Sequence, residues 1–112
     1  MLLLPLVQRA VRGDSSIPAS VRIAVQRSDS DVVIVLASLN EQSRGLVSAE
    51  KLRLMKPTSI LINVARGAIV DEAALTEALR GRAIGGAVLD CFAVEPLPAD
   101  SPLRALPNAI LT

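Results

Sequence analysis

The chain has 112 residues, of which 51% are hydrophobic, and its 12 basic residues nearly balance 11 acidic ones. This composition excludes a disordered chain, and the balanced charge with a single aromatic residue, Phe92, argues against a nucleic-acid partner. One cysteine and no histidine exclude an internal disulfide and remove the commonest general base and metal ligand.

Residues 1–30 differ from the rest of the chain because they show no clear hydrophobic period. Leu6–Arg12 fits one or two helical turns, and Val21–Val25 fits a short strand. Arginine outnumbers the acidic residues in this segment, so a transit peptide is a less favoured alternative; we leave the segment unassigned. No apolar run in the sequence approaches the ~20 residues of a membrane-spanning helix, so we expect a cytoplasmic protein without a membrane partner.

Residues 31–112 show alternating strand and helix patterns, and we predict one domain there. Apolar runs rich in β-branched residues indicate strands buried on both faces, whereas apolar residues three or four positions apart indicate helices. The predicted order is strand Val32–Leu36, helix Ala49–Met55, strand Ser59–Val64, helix Asp71–Arg80, strand Ile84–Leu89 and, after a proline-rich loop, strand Ala109–Leu111.

Particular residues mark the ends of these elements. Ser48 and Asp71 are suited to cap the amino ends of the two helices. Gly81 is suited to take the left-handed conformation that ends the second helix. Gly85 and Gly86 would let a neighbouring helix approach the third strand closely.

Strands that alternate with helices across short loops indicate parallel pairing with right-handed crossovers. We therefore predict an α/β fold with a partial, doubly wound parallel sheet of three to four strands. The edge at Val32–Leu36 is apolar and uncharged, so we expect marginal stability and either self-association or a partner that supplies further strands. The alternative is that residues 1–30 cover this edge through Val21–Val25.

Ligands of open α/β sheets bind outside the carboxyl ends of the strands. Arg66 follows a strand there and could present its planar guanidinium to a carboxylate, or it could pair with Asp90 or Glu95. The spacing leaves both alternatives open. The segments predicted to share this rim are 37–40, 64–67 and 90–95.

The other polar residues of the rim also have two interpretations. Asp90 could accept hydrogen bonds from a ligand amide or cap nearby backbone amides. Glu95 alone in a loop is most often a solvated charge. Cys91 fits a small packing residue better than a nucleophile, because the chain has no histidine to serve as its base.

Several long motifs occur in one order along residues 31–112, and together they resemble the D-isomer-specific 2-hydroxyacid dehydrogenases. The resemblance is to the carboxyl-terminal part of the NAD-binding domain of that family, which implies a Rossmann-like sheet. The stretches that carry it are Asp31 to Val47, Met55-Lys56-Pro57, Leu61 to Glu72, Gly86 to Pro98 and Leu106-Pro107-Asn108.

The resemblance implies roles for two catalytic residues. Arg66 would bind the carboxylate and carbonyl of a 2-keto acid, and Glu95 would orient a catalytic histidine and hold it protonated. NAD or NADP would supply the hydride. The remaining cofactor contacts implied are Asp90 at the nicotinamide carboxamide and Ala37, Ser38, Val64, Ala65 and Arg66 around the nicotinamide.

The chain also departs from the family pattern, since it has no histidine and no Gly-x-Gly-x-x-Gly turn. The strand-end His-x-Pro common in the family is replaced here by Leu36-Ala37-Ser38. We therefore expect a dehydrogenase fragment that is inactive alone, with a 2-keto or 2-hydroxy acid as the substrate of the parent enzyme. The alternative is a non-catalytic interaction or dimerisation module, and a homo-oligomer is expected in either case.

Overall fold

The computed structural model describes residues 31–112, which fold into one parallel sheet with helices. The predictions for Leu6–Arg12 and Val21–Val25 lie outside these residues. The elements follow the predicted order: β1 (Val32–Val35), α1 (Ala49–Arg53), β2 (Ile60–Asn63), α2 (Glu72–Arg80), β3 (Gly86–Leu89) and β4 (Ala109–Leu111). Short 3-10 helices lie at Gly67–Ile69 and Pro102–Ala105.

The sheet has the strand order β1-β2-β3-β4, and every neighbouring pair is parallel, which confirms the predicted α/β class. The strands also end in register. One row across the sheet contains Val35, Asn63, Leu89 and Leu111. The loops that follow these residues therefore leave the sheet side by side at its carboxyl edge.

The predicted caps form at the amino ends of both helices. The Ser48 side chain accepts a hydrogen bond from the backbone N–H of Lys51, and the Asp71 side chain accepts one from that of Ala74. Each cap satisfies a backbone donor that has no partner inside its helix. Helix α1 is shorter than predicted, because Leu54 and Met55 continue the chain with bonds to residues three positions earlier.

The end of α2 differs from the prediction by one residue. Gly81 has an ordinary φ of −85°, whereas Arg82 has a φ of +56°. The Ala83 N–H then bonds the Ala78 carbonyl at 2.8 Å, which is the closing bond of a Schellman motif. The left-handed position is therefore Arg82, and the prediction for Gly81 was wrong.

The two glycines at the start of β3 lie close to backbone and not to a helix as predicted. A Cβ on Gly85 would lie 2.8 Å from the Thr58 carbonyl oxygen, and one on Gly86 would lie 2.9 Å from that of Asn108. The neighbours are thus the segments that lead into β2 and β4. These contacts let the backbone of these segments approach the start of β3 closely.

The two faces of the sheet are covered unequally. Val33, Val35, Leu61 and Leu89 are buried on the face that packs with Leu52, Leu75 and Leu79 of the two helices. The opposite face carries a row of branched aliphatic residues, and none of its four members is fully buried. This row, the open-face row, is Ile34, Ile62, Val88 and Ile110. Within residues 31–112, no helix is long and apolar enough to cross a membrane.

Candidate functional site

The carboxyl edge of the sheet brings the predicted site residues to one rim. Because Val35, Asn63, Leu89 and Leu111 share a row, the next residue of each strand is placed at the same edge. Those residues are Leu36, Val64, Asp90 and Thr112. All four are exposed.

Asn63 shapes the turn that carries Arg66, a function the sequence analysis did not assign to it. Its side chain is 1% exposed, accepts from the Ala65 N–H at 3.1 Å and donates to the Arg66 carbonyl at 3.0 Å. The buried amide thus satisfies two backbone groups of the turn. The position of Asn63 at a strand end, in the stretch Asn-x-Ala-Arg, was the sequence feature that could have indicated this function.

Arg66 is exposed on this turn. Its Nη1 donates to the Ala65 carbonyl at 2.8 Å, which fixes part of the guanidinium near the backbone. Of the two alternatives, ion pairing is not found: no ion pair joins Arg66 to any acidic residue of the segment 31–112. The remaining guanidinium donors are free for an anionic ligand.

Gly67 lies against the loop that follows β3. A Cβ at this position would be 2.0 Å from the Phe92 carbonyl carbon and 2.6 Å from the Ala93 nitrogen. Since these are backbone atoms, no side-chain rotation can relieve the contact. The turn after β2 and the loop after β3 therefore pack at the closest distance that a glycine allows.

Asp90 and Glu95 make different contacts. The Asp90 carboxylate accepts from the Thr112 hydroxyl at 2.7 Å, and no backbone amide among residues 31–112 donates to it. The Glu95 carboxylate accepts from the Phe92 N–H at 3.2 Å, so it closes its own loop and is more than a solvated charge. Both side chains remain exposed.

Glu72, in the first turn of α2, also reaches this loop. Its Oε2 accepts from the Ala93 N–H at 2.9 Å, across 21 positions of sequence. A carboxylate at the start of a helix is adequately explained by its own helix, so this contact was not predicted. No pattern in the sequence indicated the partner.

The end of β1 contributes Ala37 and Ser38. Ala37 is 3% exposed, so its side chain packs in the core, whereas Ser38 is exposed. The Ser38 carbonyl accepts from the fully buried Ser43 hydroxyl at 2.6 Å. The Asn40 side chain accepts from the Ser43 N–H at 2.9 Å, so both bonds close the turn through Ser43.

Cys91 lies among the charged residues of the rim. Burial raises the pKa of its thiol, and the nearby carboxylates of Glu95 and Asp90 raise it further, while Arg66 acts in the opposite direction. The thiol contacts the Asn63 carbonyl at 3.7 Å. A neutral thiol at physiological pH agrees with the interpretation of Cys91 as a packing residue.

An open cleft of about 450 Å³ lies beside Asp90 and Glu95. Phe92, Leu97 and Leu111 give it apolar walls. Arg104, which was not predicted, also lines it and donates to the carbonyls of Leu97 and Pro98, fixing the proline-rich loop. The cleft thus brings Asp90 and Glu95 together, while Arg66, Val64, Ala65, Ala37 and Ser38 lie outside its lining.

Comparisons with known proteins agree with this geometry. The family model described as "D-isomer specific 2-hydroxyacid dehydrogenase, NAD binding domain" matches residues 10–112. The match begins inside the segment that the sequence analysis left unassigned. A glyoxylate/hydroxypyruvate reductase B of Pectobacterium carotovorum is 51% identical over 83 residues, which are 74% of this chain and 26% of that protein.

Two further proteins extend the comparison. An (S)-sulfolactate dehydrogenase of Chromohalobacter salexigens is 48% identical over 81% of this chain and 29% of its own length. The crystal structure of a D-isomer specific 2-hydroxyacid dehydrogenase of Xanthobacter autotrophicus Py2, in complex with NADPH and MES, is similar with a TM-score of 0.72 and 49% identity. That match covers 74% of this chain and 34% of the other. The chain spans about a quarter of the length of the curated relatives that it matches.

Proposed function

Because the chain belongs to the D-isomer specific 2-hydroxyacid dehydrogenase family through its NAD-binding domain, we propose that its rim binds the nicotinamide end of NAD or NADP next to a 2-keto or 2-hydroxy acid. It does so as a segment of a cytoplasmic dehydrogenase that transfers hydride between the two. The length covered in the relatives supports this proposal.

The exposed Arg66 is the observation that carries the proposal. Asn63 fixes its turn, Gly67 fixes the turn against the next loop, and no acidic residue among 31–112 neutralises its charge. A planar guanidinium at the end of a parallel strand can bind a carboxylate with two parallel hydrogen bonds. Arg66 would thus hold the acid and polarise its carbonyl.

The rim residues fit the nicotinamide end of the cofactor. Val64 is 49% exposed at the end of β2, an apolar surface suited to an aromatic ring, and Asp90 has acceptor oxygens suited to a carboxamide. The bound cofactor would supply the hydride. No Gly-x-Gly-x-x-Gly turn occurs in the sequence, so the fit is to the nicotinamide end alone.

Glu95 completes the proposed chemistry only with a further group. Its carboxylate closes the loop by accepting from the Phe92 N–H. In that position it can orient a histidine side chain supplied from outside this chain and keep the imidazole protonated. The sequence contains no histidine. We therefore propose that the 112-residue chain does not complete the proton transfer by itself.

Binding of oxalate, a dicarboxylate analogue of 2-keto acids, tests the proposal by calorimetry. Arg66→Lys keeps the charge and loses the planar geometry, so it should weaken binding at least about tenfold, nearly as much as Arg66→Ala. Arg44→Ala, which removes another exposed arginine of the segment 31–112, is the matched control. Binding that is unchanged in both Arg66 variants would show that the rim is not the carboxylate site.

A second candidate function is a non-catalytic interaction module that self-associates as a homo-oligomer. The open-face row supports it, because Ile110 is 60% exposed and its neighbours are only half-buried. Burying this row between copies would stabilise a dimer through the hydrophobic effect. Sedimentation at several concentrations tests it with Ile110→Lys: the variant should dissociate where the unmodified chain associates, and a monomer at all concentrations in both would refute it.

A further inference from the structure

Two carboxylates hold two consecutive amides in the loop after β3. The Phe92 N–H donates to Glu95, within the loop, at 3.2 Å. The next N–H, that of Ala93, donates to Glu72 of α2 at 2.9 Å. The first bond shapes the loop internally, whereas the second fixes the loop to another element.

The peptide between these amides also lies directly on Gly67. The Phe92 carbonyl carbon and oxygen would be 2.0 and 2.1 Å from a Cβ at that position. The Phe92–Ala93 peptide is therefore held on one side by the Gly67 backbone and is attached to Glu72 through its own N–H. Together these two contacts set the height of the loop above the rim.

Glu72 is itself fixed relative to Arg66. The Ile69 N–H bonds the Arg66 carbonyl at 3.2 Å in the short 3-10 helix between them. Val70 pairs with Val47, and the Asp71 N–H bonds the Val47 carbonyl at 2.9 Å, which anchors the start of α2. The path from Arg66 to the Glu72 backbone thus contains a backbone hydrogen bond at each step.

We propose that Glu72 is a positioning residue that holds the Phe92–Glu95 loop against the Arg66–Gly67 turn and so fixes Glu95 relative to Arg66. This inference rests on the proposed function, in which those two side chains act on one substrate. Glu72 does not touch substrate or cofactor in this arrangement. Its effect passes through the loop.

The hydrogen bond can be separated from the negative charge. Glu72→Gln removes the charge and keeps an oxygen that accepts the Ala93 N–H, whereas Glu72→Ala removes both. Glu50→Ala is the matched control, because Glu50 also lies in the first turn of a helix and makes no hydrogen bond to the loop. If Glu72 acted only through its charge at the helix dipole, Glu72→Gln and Glu72→Ala would have equal effects.

Hydrogen exchange of the Ala93 amide in the 112-residue chain is the direct measurement. We expect exchange about tenfold faster in Glu72→Ala and within about twofold of the unmodified chain in Glu72→Gln and Glu50→Ala. The Leu61 amide of the central strand should be unchanged throughout. An equal increase in the exchange rates of the Ala93 and Leu61 amides would mean general destabilisation and would overturn the proposal.

The single cysteine gives a second measurement in the same loop. Cys91 is half-buried two residues before Ala93, so loosening the loop should raise its rate of alkylation by iodoacetamide severalfold in Glu72→Ala but not in Glu72→Gln. Equal rates in all variants, or a Gln variant that behaves like the Ala variant, would overturn the proposal.

Oxalate binding separates this inference from the proposed function. Where the unmodified chain binds oxalate, Glu72→Ala should weaken it severalfold and Glu72→Gln should restore it. Failure of the unmodified chain to bind would refute the proposed function, while the exchange and alkylation rates would still decide whether Glu72 holds the loop.

Discussion

The contact between Gly67 and the loop after β3 yields the strongest prediction about stability. Replacing Gly67 with alanine adds one methyl group whose carbon would be 2.0 Å from the Phe92 carbonyl carbon, whereas an ordinary contact begins at 3.4 Å. The loop and the turn must therefore separate by 1.4 Å, the difference between the two distances, to restore an ordinary contact. A shift of that size would also lengthen the 2.9 Å bond between Ala93 and Glu72.

The expected cost follows from these two effects. Forcing a methyl group into a closely packed site costs about 1–3 kcal/mol, and a weakened charge-assisted hydrogen bond adds about 1 kcal/mol at an exposed position. We expect Gly67→Ala to lower the free energy of unfolding by about 3 kcal/mol. With a urea dependence near 1.5 kcal/mol per molar, the midpoint should fall by about 2 M.

The assay is urea unfolding followed by circular dichroism, with Gly81→Ala as the matched control. Gly81 has an ordinary φ of −85°, and a Cβ added there would lie 3.4 Å from the Glu77 carbonyl oxygen. The Gly81→Ala variant should therefore remain within about 1 kcal/mol of the unmodified chain. If Gly67→Ala were as stable as Gly81→Ala, the reasoning from close backbone approach would be refuted.

Three further predictions concern other parts of the molecule. Asn63→Asp places a carboxylate at a site that is 1% exposed and faces the Arg66 carbonyl. Burial should raise the pKa of the new carboxyl group, so the variant should gain stability as the pH falls toward 4. A loss of stability relative to Asn63→Ala that does not change with pH would contradict this. Arg82→Gly should stabilise the chain by up to about 1 kcal/mol in thermal unfolding, because Arg82 has a φ of +56°, whereas Arg82→Ala should give no gain. The unmodified chain should not oxidise NADH with glyoxylate, hydroxypyruvate or pyruvate above the buffer rate, because it contains no histidine, and steady absorbance loss at saturating substrate would disprove this.

The sequence was sufficient to predict the elements and their order. All four strands and both helices of residues 31–112 form within one or two residues of the predicted bounds, and the parallel sheet is confirmed. The caps at Ser48 and Asp71 were also predictable, since each bonds an amide three residues away. Periodicity and caps depend on near neighbours in the chain, which the sequence lists directly.

Contacts between distant segments required the tertiary structure. The bond from Glu72 to Ala93 spans 21 positions, and the contact of Gly67 with Phe92 depends on how β2 and β3 are aligned. The left-handed residue at the end of α2 was misplaced by one position, because glycine preference suggested Gly81 while the closing bond of Ala83 required Arg82. Sequence patterns report the preference of each residue for a local conformation, but the register of neighbouring strands and the closing of a helix decide which backbone atoms meet.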